Sequence, residues 1–347
     1  MKTIKVNLKS EIDNSYPIFV EKGCHEKIPA YLKKHKVGVK YAIITDSKVK
    51  KLYANQLHRL LKKHGIESEI FVFPNGEKSK NIATIEKLAE LMISKKFDRN
   101  DAIIALGGGV VGDMAGFLAS IYMRGIPFVQ IPTTLLAMVD SSVGGKTGID
   151  LKSGKNLLGT FYQPEAVFMD SSYLKTLSPK QIKNGLAEVI KYGIIKDKNL
   201  FNFIEQKLKN ILILEEKTIE TIIIKSIKIK SKIVEEDEKE SGLRMILNYG
   251  HSYGHAIEKM SNYKLLHGYA ISIGMVMENK IAVEKKIMKG QEEERIKKLL
   301  KNTGLPVITM KKPTKKDLLS DKKKQGNQLS LILPTKIGKV IIKKINL

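Results

Sequence analysis

Apolar and polar positions follow two regimes along this chain of 347 residues. Up to about residue 175, short continuous apolar runs alternate with stretches of three-to-four periodicity. Residues 41–46 (YAIITD) are such a run, and 47–65 after them have helical spacing and a terminal glycine. Residues 67–80 (ESEIFVFPNGEKSK) read as strand then loop, and 81–96 as helix. DAIIALGGG at 101–109 is strand into glycine turn, 111–125 a helix, and PFVQIPTT at 127–134 a further strand. This alternation predicts an α/β, Rossmann-like domain with a mostly parallel sheet and helices on both faces. Ligands are expected at the carboxyl ends of its strands.

From about Leu177 the pattern becomes nearly all helical. Residues 178–197, 199–212 and 217–240 keep apolar positions three and four apart. QLSLILPTKIGKVIIKKINL at 328–347 predicts two strands returning onto the body. The change of class divides the chain into an α/β domain over 1–175 and a mainly helical domain over 176–347, with a shared cleft.

Composition adjusts this picture only a little. The first ten residues (MKTIKVNLKS) alternate like a strand and lack the apolar core of a secretory signal. No apolar run reaches membrane-spanning length, and Cys24, the one cysteine, permits no internal disulfide. A cytoplasmic location is expected. The formal charge of +25 suggests nucleic acid, but only five of the 61 basic residues are arginine and tryptophan is absent. Base-reading proteins lean on arginine and stacked aromatics. The lysines here fall mostly on helix faces, where solvated stems account for them. A small anionic substrate is expected, with neither nucleic acid nor membrane as partner.

Candidate chemistry lies in three segments. Residues 244–268 (RMILNYGHSYGHAIEKMSNYKLLHG) hold three of the seven histidines. His251 and His255 stand four apart with helical patterning, so both rings should share a face, and His267 follows a turn signal. Three imidazoles invite a divalent metal. Two of them could equally be capping or core residues. Gly107, Gly109 and Gly112 satisfy G-x-G-x-x-G between a strand and a helix, the context in which backbone amides meet a pyrophosphate. No acidic residue follows about twenty positions later, which argues against a plain dehydrogenase. Asp46, closing an earlier strand, could hold a ribose hydroxyl instead. Residues 140–156 (DSSVGGKTGIDLKSGKN) form a second Gly- and Lys-rich loop suited to phosphate. A dinucleotide and a separate phosphorylated substrate follow from two such loops.

In this order, GGGVVGD, IPTTLLAMVDSSVGGKTGID, GKNLLGTFYQP, GLAEVIKYGII, GLRMILNYGHSYGHAIE and LHG resemble the 3-dehydroquinate synthases over nearly the whole chain. The resemblance implies an NAD-binding α/β domain followed by a helical one, a homodimer, catalytic NAD and one divalent metal, Zn²⁺ or Co²⁺. It implies conversion of 3-deoxy-D-arabino-heptulosonate 7-phosphate to 3-dehydroquinate and phosphate in the shikimate pathway. An alcohol is oxidised transiently to acidify the adjacent C–H, phosphate is eliminated, the hydride returns, and ring opening with aldol closure follows. Other sugar-phosphate cyclases, and metal-dependent NAD alcohol or polyol dehydrogenases, are the alternatives.

Carried over by position, the resemblance places the metal on Glu188, His251 and His267, with His255 unligated and near the proton-transfer route. Lys230, Arg244 and Asn248 would hold the substrate carboxylate, and Lys191 and Asp140 its hydroxyls. Lys146, Asn156, His255 and Lys323 (or Lys322) would surround the phosphate, with Arg124 reaching it from the partner subunit. The NAD site would take Asp46, the loop residues Asn75, Gly76, Glu77, Lys78, Ser79 and Lys80, and the turn residues Gly109, Val110, Val111, Gly112 and Asp113. Thr133, Thr134, Lys146, Lys155, Tyr173, Leu174, Lys175 and Thr176 complete it. One position departs from the pattern: Tyr269 stands where the family usually has Glu, beside a metal ligand.

Overall fold

The computed structural model describes residues 13–319 and 328–346. The 1–10 strand expectation lies outside the described residues. Six parallel strands form one sheet, in the order β1 (Ile18–Val20), β8 (Ala166–Met169), β5 (Phe128–Pro132), β4 (Ala102–Gly107), β2 (Lys40–Asp46) and β3 (Glu67–Phe73). β4, β5 and β8 are buried at every position, as strands covered on both faces must be. β3, at one edge, alternates buried and accessible positions instead.

The helices of this part are α1 (Ile28–His35), the short turn α2 (Ser47–Val49), α3 (Asn55–Lys63), α4 (Ile82–Ser94) and α5 (Gly109–Ile121). They divide the apolar side chains into two cores, one on each face of the sheet. The chain winds outwards from β2 to β3, then crosses back to lay β4 on the other side of β2. The carboxyl ends of β2 and β4 therefore flank a switch point, where ligands bind in such sheets.

The segment read as a second glycine-rich loop is instead an antiparallel hairpin, β6 (Lys146–Leu151) with β7 (Gly154–Phe161). Glycine allows the pairing to be close: a Cβ on Gly159 would lie 2.0 Å from the Thr147 carbonyl oxygen. Gly–Lys richness signals a loop, but here it serves backbone approach between strands.

Beyond residue 176 lie α6 (Pro179–Ile195), α7 (Lys198–Leu212), α8 (Glu216–Glu236), α9 (His251–Met260), α10 (His267–Glu284), α11 (Gly290–Asn302) and α12 (Lys315–Leu319). β9 (Gln328–Lys336) and β10 (Lys339–Asn346) then form an antiparallel pair against α6 and α10. Ser178 and Pro179 open α6, and the pre-set φ of proline suits a first turn. Almost every α6 side chain from Asn184 to Ile195 is buried, so it is the central helix of this half. Its apolar face joins the larger core, which runs continuously from the sheet into the helices. Among the described residues, no helix is long and apolar enough to cross a membrane.

Candidate active site

A cleft of about 790 Å³ opens between the carboxyl ends of β2 and β4 and the helices α6, α8, α9 and α10. On the sheet side, Thr133 donates its N–H to the Gly107 carbonyl at 2.8 Å. A Cβ on Gly107 would come 2.4 Å from Val111, and one on Gly109 would come 3.1 Å from Ser141 Oγ. No side chain caps α5 at Gly108. Its first amides, with the positive end of the helix dipole, are thus available to an anion. Asp46 caps α2 through one oxygen, accepting from the amides of Lys48 at 2.8 Å and Val49 at 2.9 Å. Lys80 is 3% exposed, donates to Asp113 at 2.5 Å and also meets the Asn156 carbonyl. Burial works against its charge, but Asp113 and Glu77 outweigh it and raise its pKa.

The helical wall carries the histidines. Glu188, on α6, is completely buried, and neither of its oxygens accepts a well-formed hydrogen bond. The Lys191 ammonium is in contact with it, His267 Nε2 lies 3.4 Å away and His251 Nε2 3.7 Å away. His251 Nδ1 lies 3.0 Å from the Tyr249 carbonyl. A carbonyl only accepts, so Nδ1 carries the proton and Nε2 keeps its lone pair facing Glu188. His267 turns Nδ1 to Glu258 at 3.3 Å. Burial, then Lys191, His267 and His255, hold His251 well below the usual imidazole range. Burial opposes charge on His267 too, but Glu188 and Glu258 push it up to about 10.

One carboxylate and two imidazoles at these separations fit a divalent ion. Ligand bonds of about 2.1 Å give tetrahedral edges of roughly 3.4 Å. A second group, His255, Glu258 and His267, also lies within ligating range. In the Glu188 group, however, the carboxylate is completely buried and one of its oxygens faces the Nε2 atoms of both imidazoles. Glu258 stands behind His267 as a carboxylate that orients a ligand ring. His255 shares the face of His251, with ring centroids 5.3 Å apart.

Between these walls stands a set of buried cations. Lys230 occupies the apolar stripe of α8 with Ile219, Ile223, Ile227 and Ile233, so its ammonium requires a partner. It donates to both the backbone and the side-chain oxygen of Asp140, each at 2.5 Å. Asp140 also accepts from the Tyr192 hydroxyl at 2.8 Å. Burial raises its pKa, but Lys230 and Lys191 more than reverse this and keep it ionised. Burial lowers Lys230 despite Asp140. Arg244 is 2% exposed and donates to the carbonyls of Gly144, at 3.0 Å, and Glu238.

Sequence models of the 3-dehydroquinate synthase N-terminal and C-terminal domains match residues 70–184 and 185–325. A 3-dehydroquinate synthase of Thermoanaerobacter sp. is 46% identical over 98% of this chain and 96% of its own. The chain belongs to the 3-dehydroquinate synthase family. Among solved structures it is similar to a 2-deoxy-scyllo-inosose synthase complexed with carbaglucose-6-phosphate, NAD⁺ and Co²⁺. That match has a TM-score of 0.87 and 29% identity, covering 95% of this chain and 93% of that one. A 2-epi-5-epi-valiolone synthase from Streptomyces hygroscopicus, with NAD⁺ and Zn²⁺ bound, gives 0.88 and 27%, covering 99% and 95%.

Most residues implied by the family resemblance meet in this cleft. Asp46, Asn75, Gly76, Glu77, Lys80, Gly109, Val110, Val111, Asp113, Thr133, Thr134, Lys155 and Thr176 line the side nearer the sheet. Asp140, Lys146, Asn156, Lys191, Lys230, Arg244, Asn248, His251, His255 and His267 line the rest. Ser79 instead donates to the Pro74 carbonyl at 2.6 Å, and Gly112 packs on Gln130. Lys78 is off the lining, Tyr173 and Leu174 are core residues, and Lys175 is exposed. Arg124 is exposed beyond the end of α5, outside the cleft. Lys322 and Lys323 lie outside the described residues.

Some participants escaped the sequence reading. Glu240 accepts from Asn248 Nδ2 at 2.5 Å and pairs with Lys146. It belongs to an acidic run that reads as a solvated helix end. Glu258 and Asn184 were also missed, although HAIE and KNGLAE place each four or fewer residues from a named site residue. Arg244 and Asn248 occupy a separate 3₁₀ turn (Leu243–Asn248), while α9 begins at His251. Tyr269 packs against the main core with Lys180 Nζ 6.0 Å from its ring, away from the cleft lining.

Proposed function

We propose that the protein acts in the cytoplasm as a 3-dehydroquinate synthase, converting 3-deoxy-D-arabino-heptulosonate 7-phosphate to 3-dehydroquinate and phosphate. The observation that carries this reading is the arrangement around Glu188: a completely buried carboxylate, ion-paired with Lys191 and facing the nitrogens of two imidazoles that line one cleft with a glycine turn and buried cations. Glu188, His251 and His267 would hold a divalent ion, Zn²⁺ or Co²⁺ as in the two solved relatives. The glycine turn, Asp46, Glu77 and Lys80 would hold NAD⁺. When bound, the ion supplies Lewis acidity towards the substrate hydroxyls and NAD⁺ accepts and returns one hydride.

The residues do the rest by position and charge. Lys230, Arg244 and Asn248 suit a carboxylate, which separates this substrate from sugar phosphates that lack one. Asp140, held ionised between Lys230 and Lys191, is an acceptor for substrate hydroxyls. Lys146 and Asn156 face the same space and would stabilise the phosphate as it leaves. His255 stands one turn along α9 from His251, within the cleft, where a proton must leave the carbon next to the new carbonyl. The α/β part over 1–175 would thus carry the dinucleotide, and 176–347 the metal and the substrate carboxylate.

A homodimer completes the site in this reading. Met123, Arg124 and Gly125 all have positive φ, of 49°, 71° and 118°. Two non-glycine residues in that region are strained, and strain of this kind persists where a side chain must be presented. Ile121 and Met123 at the end of α5, with Phe161 at the end of β7, expose apolar surface suited to a second copy.

Phosphate release from the heptulosonate phosphate tests the activity. Release should need both NAD⁺ and a divalent metal, stop with chelator, and leave no net NADH. Stoichiometric NADH would favour the dehydrogenase alternative. Undiminished release from enzyme stripped of NAD⁺ and metal would overturn the reading.

A further inference from the structure

Glu278 and Asn279, adjacent on α10, are 0% exposed, and nothing above gives them a task. A carboxylate and a carboxamide are costly to bury unless they hold polar partners. Theirs lie in the turn that precedes α9. Glu278 accepts the Gly250 N–H at 3.0 Å, and Asn279 accepts the Tyr249 hydroxyl at 2.5 Å. Glycines bring the two helices within this reach. A Cβ on Gly274 would lie 1.9 Å from the Gly250 carbonyl oxygen, and one on Gly254 would lie 2.4 Å from Ile271. Gly274 and Glu278 are four apart, so the carboxylate rises from the contact face one turn further on. Gly250 itself has φ of 78°, which glycine adopts without strain.

This turn bears directly on His251. The Tyr249 carbonyl, in the peptide unit whose N–H Glu278 receives, is the group 3.0 Å from His251 Nδ1. We propose that Glu278 and Asn279 are positioning residues for His251: together they fix the Tyr249–Gly250 peptide, which sets the tautomer and aim of the ring and presents Nε2 to Glu188. The other histidine has a parallel support. Asn184, on α6, accepts the Gly268 N–H at 2.7 Å, next to His267. Each histidine is thus flanked by a backbone amide held by a buried side-chain oxygen from a neighbouring helix.

The inference rests on Glu188, His251 and His267 being the metal ligands, and the experiment separates the two. Co²⁺ affinity is measured by competition with a chromophoric chelator, together with the visible Co²⁺ spectrum, NAD⁺ affinity and thermal unfolding. Glu278→Ala should weaken Co²⁺ binding roughly 10- to 100-fold and alter the spectrum, the range for lost supporting hydrogen bonds. Glu278→Gln keeps an acceptor for Gly250 and should restore most of the affinity. NAD⁺ affinity should stay within about twofold of the parent, since its loops lie on the sheet side. A merely structural role would lower the unfolding temperature and leave Co²⁺ affinity and spectrum unchanged, which would overturn the proposal. Should Glu278→Ala fail to fold, Tyr249→Phe, which removes only the hydroxyl held by Asn279, takes its place. A several-fold loss of Co²⁺ affinity is then expected, and unchanged affinity would overturn it. His251→Ala is the reference. If that variant binds Co²⁺ as tightly as the parent, the ligand assignment falls and this inference with it. If it loses the metal while both supporting variants keep it, only the inference falls.

Discussion

Glu240 brings a negative charge beside the cations Lys146 and Arg244. Burial works to raise its pKa, but Lys146, Asn248 and Arg244 overcome this and lower it. Its oxygens hold the Asn248 amide and the Lys146 ammonium, two groups suited to opposite ends of an anionic substrate. Glu240→Ala should therefore raise KM for the sugar phosphate about tenfold, or roughly 1.4 kcal/mol, by leaving both groups free to rotate. NAD⁺ affinity should not change. An unaltered KM would mean that Glu240 only balances charge. Residues of this kind are hard to read from sequence, because the run 235–240 has the composition of a solvated helix end. Its burial comes from the fold around it, which packs the chain after α8 against the hairpin and Arg244. The histidines posed the opposite problem. Spacing put His251 and His255 on one face, as they are, but spacing is silent on which ring nitrogen meets a carboxylate 63 residues earlier.

At the scale of elements, α9 and α10 control the metal-capable group, since each begins with one of its histidines. Their separation is set by glycine. Gly274→Ala would drive a methyl into the Gly250 carbonyl, 1.9 Å away, and helix backbone cannot give way cheaply. Overpacking of this sort costs about 1–3 kcal/mol, and here it should also loosen divalent metal binding, because the start of α9 must move. Gly290, at the start of α11, has nothing within 4 Å of a built Cβ. Gly290→Ala should be neutral or stabilise by up to about 1 kcal/mol through the unfolded chain. Denaturant unfolding with metal titration distinguishes the two; equal effects from both substitutions would refute the close-contact argument. The parallel sheet and the helical half were legible because buried strands and amphipathic helices have distinct periods. The β6–β7 hairpin was not, since its Gly- and Lys-rich sequence lacks the β-branched alternation that usually marks a strand. Only tertiary contact, with Asp150 N–H on the Lys80 carbonyl at 2.8 Å, makes it a wall of the site.

For the whole molecule, the Arg124 turn is the surface that bears on assembly. Arg124 is exposed and outside its own cleft, yet the turn that presents it is strained and bordered by apolar surface. If a second copy covers this face and lends Arg124 to its neighbour's phosphate site, the two halves of a site reside on different chains. Subunit mixing makes that arithmetic visible. Arg124→Ala subunits keep every other site residue, while Lys191→Ala subunits keep Arg124 and damage their own cleft. Each variant alone should be severely impaired. In a mixed dimer, the Arg124→Ala cleft receives an intact arginine from its partner and becomes whole, whereas the other cleft lacks both groups. Random reassortment of equal amounts gives about half mixed dimers with one good site of two, hence roughly a quarter of the parent activity, by the reciprocity of a two-fold interface. Recovery to that level after co-refolding would place Arg124 across the interface. Activity that stays at the average of the two variants would place it within its own chain's site or outside catalysis altogether.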